Sequence, residues 1–120
     1  MSTLLVNLAS GPEHPTRAAL AFLVAKTAAE RGHDVSIFLA GDAVALLRDA
    51  TMDATHGVGL GSVSEHHAAF VAAGGRTYAS GMSSKARGVD AAAAGDKRIE
   101  FAPPDRLVEL ILAADRVVTY

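Results

Sequence analysis

A chain of 120 residues, 50% apolar but only 5% aromatic, has the length for one continuous core, and that core must be built from closely approached backbones rather than large rings. A formal net charge of -2 supplies no electrostatic case for nucleic acid or an anionic membrane as the main partner. The absence of cysteine excludes disulfides, thiolate metal sites and every cysteine nucleophile.

The first segment, "TLLVNLA" (3–9), reads as a strand apolar on both faces, as a strand covered on both sides must be. Ser10, Gly11 and Pro12 end it. Its apolar run is short and follows no basic segment, so it does not read as a secretory leader. No stretch reaches the roughly 18 apolar residues of a membrane span, and cytoplasmic residence is the expectation. From Pro15 a helix begins, with Leu20, Leu23, Val24, Thr27 and Ala28 on one face at helical spacing, and Gly32 suits its end. That face is expected to pack on the sheet.

"DVSIFLAG" (34–41) is a second strand, again apolar on both faces. "DAVALLRDA" (42–50) follows as a short helix, and "TMDATHGVGLG" (51–61) reads as an aperiodic loop, mobile or available for an oligomer contact. Ser62 and Glu65 have the spacing of a capping box, which predicts a helix starting at Ser62 and stopping at Gly74 or Gly75. "RTYAS" (76–80) is a third strand, entering "GMSSKARG", a small-residue loop leading to a basic first helical turn. Periodicity does not decide whether "DAAAAGD" (90–96) is a helical turn or a loop. "KRIEF" (97–101) reads as a strand, "PPDRLVELILAAD" (103–115) as a helix opened by prolines, and "RVVTY" (116–120) as a last strand.

Five strands alternating with helices predict a single α/β domain over residues 1–120: a three-layer sandwich with a mainly parallel five-stranded sheet and helices on both faces. Sites in such sheets lie beyond the carboxyl ends of the strands. The candidate pocket residues are therefore Ser10 and Gly11 after the first strand, and Ser80, Gly81, Met82, Ser83, Lys85 and Arg87 after the third. Free N–H groups of a helical first turn together with Lys85 and Arg87 would suit an anion; the same cations equally suit a solvated helix face or ion pairs with Glu13 or Asp90.

Other constellations carry less chemistry. Ser80 as a hydrolytic nucleophile would need a histidine and an acid, for which His14 and Asp42 are available, but no nucleophile-elbow spacing is present. Adjacent His66 and His67 diverge by about 100° on a helix and cannot form an i, i+4 metal pair. No metal or cofactor is expected. "GVGLG" (57–61) lacks the spacing of a dinucleotide loop.

In order and spacing, "VNLASGPEHPTRAALAFLVAKTAAERGHDVSIFLAGDAVALL" followed by a helix and "GGRTYASGMSSKARG" resembles the DsrE/DsrF-like family of small sulfur-relay proteins over nearly the whole chain. The resemblance implies a helix-sandwiched parallel sheet and homotrimers or hexamers, or mixed assemblies with cysteine-bearing relatives. The family's persulfide-carrying cysteine falls on Ser80. A serine oxygen cannot carry an S–S bond, so the resemblance implies a non-catalytic, oligomeric DsrE-like protein. The alternative is a binding protein or cysteine-independent enzyme that uses the strand-end pocket for a small anionic ligand.

Overall fold

The computed structural model describes residues 1–120. Five parallel strands, β1 (Thr3–Leu8), β2 (Asp34–Leu39), β5 (Arg76–Ser80), β6 (Ile99–Ala102) and β7 (Arg116–Thr119), form one sheet in the order β6-β5-β2-β1-β7. Two two-residue strands, β3 (His56–Gly57) and β4 (Gly61–Ser62), make a separate antiparallel hairpin. The fold is the expected α/β sandwich, and its strand order has a physical consequence. From β1 the chain steps to β2, β5 and β6 in one direction, then crosses back over the sheet to β7. Right-handed crossovers require the helix of a reversed step to lie on the opposite face. The helix of that step, α6 (Pro104–Ala113), does so, while α1 (Pro15–Glu30), α3 (Val63–Ala72) and the short helices α4 (Gly81–Ala86) and α5 (Ala91–Ala94) accompany the forward steps.

The two faces are unequal. The α1 side holds a core of 21 buried residues that includes Val6, Leu8, Ile37, Leu39, Ala79, Phe22 and Phe70. The other side has four, Leu5, Phe38, Tyr78 and Ala102, beneath the half-buried Leu107 and Leu110 of α6. Phe38 and Tyr78 stack there with ring centroids 6.4 Å apart, and Arg106 lies 5.3 Å over the Tyr78 ring. No residue of α6 is itself buried. Leu112 is 80% exposed, and Val108 and Ile111 of α6 and Val117 of β7 are exposed as well.

Local signals explain most boundaries. Pro15 opens α1 and Pro104 opens α6. Ser62 Oγ accepts from the Glu65 N–H at 3.3 Å, the predicted cap of α3, and Gly74 follows the helix at φ +93°. Asp90 settles the undecided segment as α5, its carboxylate accepting from the Ala93 N–H at 2.9 Å.

Three expectations need correction. The buried face of α1 is Ala18, Ala21, Phe22, Ala25 and Ala29, whereas Leu20, Leu23, Val24 and Ala28 are half-buried and Thr27 is exposed. The helix nestles between the sheet and α3, and small residues permit that approach. Residues 42–50 are not one helix: a 3-10 helix spans Gly41–Leu47, and α2 (Asp49–Ala54) begins after Arg48 turns extended. The segment read as an aperiodic loop holds most of α2 and the β3–β4 hairpin. That hairpin is seated on α1, where a Cβ on Gly57 would come within 2.6 Å of the Ala19 methyl. Elements of two to six residues are too short to print a period.

Candidate functional site at the strand ends

Adjacent strands whose chains leave toward opposite faces open a crevice at their carboxyl ends. Here β5 leads into α4 on one face and β6 into α6 on the other, and Ser80 pairs in register with Ala102. The crevice therefore lies at Ser80, Gly81, Phe101 and Ala102. A small cavity of about 280 Å³ opens beside it, lined by Gly81, Ser84, Lys85 and Phe101 among others.

Ser80 is the N-cap of α4, and its Oγ accepts from the Ser83 N–H at 3.1 Å. Ser83 Oγ in turn accepts from the Gly41 N–H at 2.9 Å, tying the β5 end to the β2 end. Gly11 completes the junction from β1: a Cβ there would stand 2.2 Å from the Asp42 carbonyl oxygen, so this approach admits only glycine. Its N–H donates to Glu13 at 2.7 Å, and Ser10 is buried alongside. Ser10, Gly11, Ser80, Gly81 and Ser83 thus meet at one place, while Met82 is 70% exposed and points away from any core.

The cations are placed differently from the expectation of a basic first turn. Lys85 lies in the last turn of the six-residue α4 and Arg87 is its C-cap. Arg87 folds back onto Asp42 at 3.0 Å and donates to the Ser83 carbonyl at 3.2 Å. Its ion-pair partner is therefore neither Glu13, which accepts from Gly11, nor Asp90, which caps α5. Lys85 forms no ion pair and remains the cation available to the cavity. Ser84 lies beneath, 2% exposed, and its Oγ has no hydrogen-bond partner. Sequence reasoning passed over Ser84, because nothing in a serine-serine pair says which hydroxyl is buried.

Ser80 makes no hydrogen bond to a histidine, and Asp42 is engaged by Arg87, so no Ser-His-Asp constellation forms. The histidines serve elsewhere: His33 Nδ1 accepts from the Ser2 N–H, and His66 Nε2 meets the Leu60 carbonyl at 2.6 Å. No cluster of three His, Asp or Glu side chains has metal-binding proximity. No helix is long and apolar enough to cross a membrane.

These features define a class: a parallel α/β protein with a built strand-end crevice whose central side chain is a capping hydroxyl, in a chain without thiols. The profile of the DsrE/DsrF-like family matches residues 3–120, and the chain belongs to that family. Among solved structures it is similar to the YchN protein from E. coli, at 18% identity and a TM-score of 0.84, with the whole of both chains covered. It is also similar to BT1422, a conserved protein of unknown function from Bacteroides thetaiotaomicron, at 15% identity and a TM-score of 0.74, over 99% of this chain and 95% of that one. At these identities the likeness concerns the fold. A search of curated proteins returns no match to the chain.

Proposed function

We propose that this protein is a non-catalytic, cytoplasmic DsrE-like subunit, one domain over residues 1–120, that acts through assembly rather than sulfur transfer. The observation that carries this reading is Ser80. By the family resemblance it takes the strand-end place of the sulfur-carrying cysteine; its oxygen is spent on capping α4, and the chain holds no thiol. A persulfide needs a sulfur to carry it. Assembly is supported by the thin α6 layer, whose Val108, Ile111 and Leu112 are exposed at i, i+3 and i+4, and by the exposed Val117 of the edge strand β7. Exposed apolar side chains sharing one helix face favour burial against another subunit.

The expected assembly is a homotrimer or hexamer, or a mixed oligomer with a cysteine-bearing relative. Light scattering on a gel-filtration column tests the first, and a stable monomer at micromolar concentration rejects it. Incubation with thiosulfate or persulfide donors tests the second half of the reading. A reductant-sensitive mass gain of one sulfur, surviving denaturation, would overturn it.

A second reading is a small anionic ligand at the crevice, favoured by Lys85 over the cavity and by the unpartnered Ser84 hydroxyl beneath it. A thermal shift with inorganic phosphate that disappears in Lys85→Ala would support that reading; the same shift in both proteins would reject it.

A further inference from the structure

The largest cavity lies at the other end of the sheet. It opens between α2, α3 and the segment leading into β6, near the amino ends of β5 and β6, where Thr77 pairs with Ile99. Its volume is about 560 Å³, within the roughly 300–1,000 Å³ range of small-ligand sites. Apolar side chains, Met52, Val71, Ala68 and Ala72, line one part of it. His67 lies among them, 4% exposed, with Nε2 held 3.0 Å from the Thr77 hydroxyl and its ring edge-on to Phe22. Nδ1 has no partner within the protein.

Around this floor the charges are mixed. Lys97 reaches in with its side chain only 11% exposed and pairs with Asp49, which is 78% exposed. Asp53 and Asp96 stand on one side of the remaining balance and Arg98 on the other. Arg98 is held at φ +61°, the only non-glycine residue in the left-handed region. With the imidazole neutral, three carboxylates and two cations leave one excess negative charge. A purely anionic ligand meets that excess, and a purely cationic one meets the sheltered Lys97. A molecule bearing both charges satisfies both, and the apolar floor calls for an apolar body.

We propose that this cavity binds a small zwitterion of amino-acid type: its ammonium at Asp53 and Asp96, its carboxylate at Lys97 and Arg98, its apolar side chain against Met52 and Val71, and a polar edge on His67 Nδ1. The site shares no residue with the strand-end crevice, so it stands whether or not that crevice binds anything.

The experiment is an NMR titration of the isotope-labelled full chain with L-phenylalanine and L-leucine. Phenylacetate and phenethylamine, each retaining one of the two charges, serve as controls. The expected result is saturable shifts at His67, Val71 and Met52 with the amino acids, and binding at least on the order of tenfold weaker for either single-charge analogue. Asp53→Asn and Lys97→Met, both at positions where no buried charge is orphaned, should each weaken the amino acids about tenfold. Absence of saturation at these residues at about 10 mM probe would overturn the proposal. So would equal binding of phenethylamine or phenylacetate by the wild-type chain, a comparison that needs no variant to fold.

Discussion

His67 should make stability depend on pH, because its ring is buried in the fold. Burial pushes its pKa down from 6.5 to about 4, with the charge of Lys97 adding to the effect. The unfolded chain therefore binds a proton that the folded chain refuses, and stability is lost as pH falls from above 6.5 toward 4. A shift of this size corresponds to about 3 kcal/mol in all, of which about 2 kcal/mol is gone by pH 5. Against a typical stability of about 5–15 kcal/mol that is a large fraction. Asp49, Asp53, Asp96 and Arg98 surround the same cavity, so the raw pH curve is not the readout. His67→Gln keeps an amide to meet the Thr77 hydroxyl and does not titrate. Urea unfolding followed by circular dichroism, at pH 7, 6, 5 and 4.5, gives the difference between wild type and variant at each pH. That difference should shift toward the variant by about 2 kcal/mol between pH 7 and pH 5. A flat difference would mean that His67 protonates as easily folded as unfolded, and the reasoning from its burial would fail.

Ser80→Cys should yield a thiol with a pKa below the free value of about 8.5, because the thiolate accepts the Ser83 N–H, and alkylation rates against pH measure it. Arg87→Ala in that background should move this pKa little, since Asp42 already neutralises the guanidinium; a large rise would show that Arg87 reaches the strand end. Gly11→Ala, which drives a Cβ to 2.2 Å from the Asp42 carbonyl, should cost on the order of 1–3 kcal/mol in urea unfolding, and an unchanged midpoint would refute the close approach. Leu112→Glu, at a position 80% exposed, should leave the circular dichroism spectrum intact while lowering the mass seen by light scattering; an unchanged oligomer would exclude the α6 face as the contact.

Features set by a few neighbouring residues were legible in the chain itself. The Ser62/Glu65 cap, the prolines that open α1 and α6, and the β-branched runs of the five strands each act through local backbone geometry, and each element stands where its signals lie. Strand number and alternation followed, and with them the α/β class. The missing thiol needed no structure at all. Tertiary packing decided what local chemistry leaves open. Hydrophobicity alone points Leu20, Leu23 and Val24 of α1 inward. The sheet and α3 approach so closely that Ala18, Ala21 and Ala25 occupy the interior around Phe22, and Leu20, Leu23 and Val24 are turned to the flank. Lys85 and Arg87 read as a first-turn pair until the length of α4, six residues, carried them to its far end, where Asp42 captures one of them. His67 is a surface-like residue in sequence and a buried neutral base in the fold, because desolvation depends on the elements that tertiary packing brings around the ring, Phe22 of α1 and Thr77 of β5 among them.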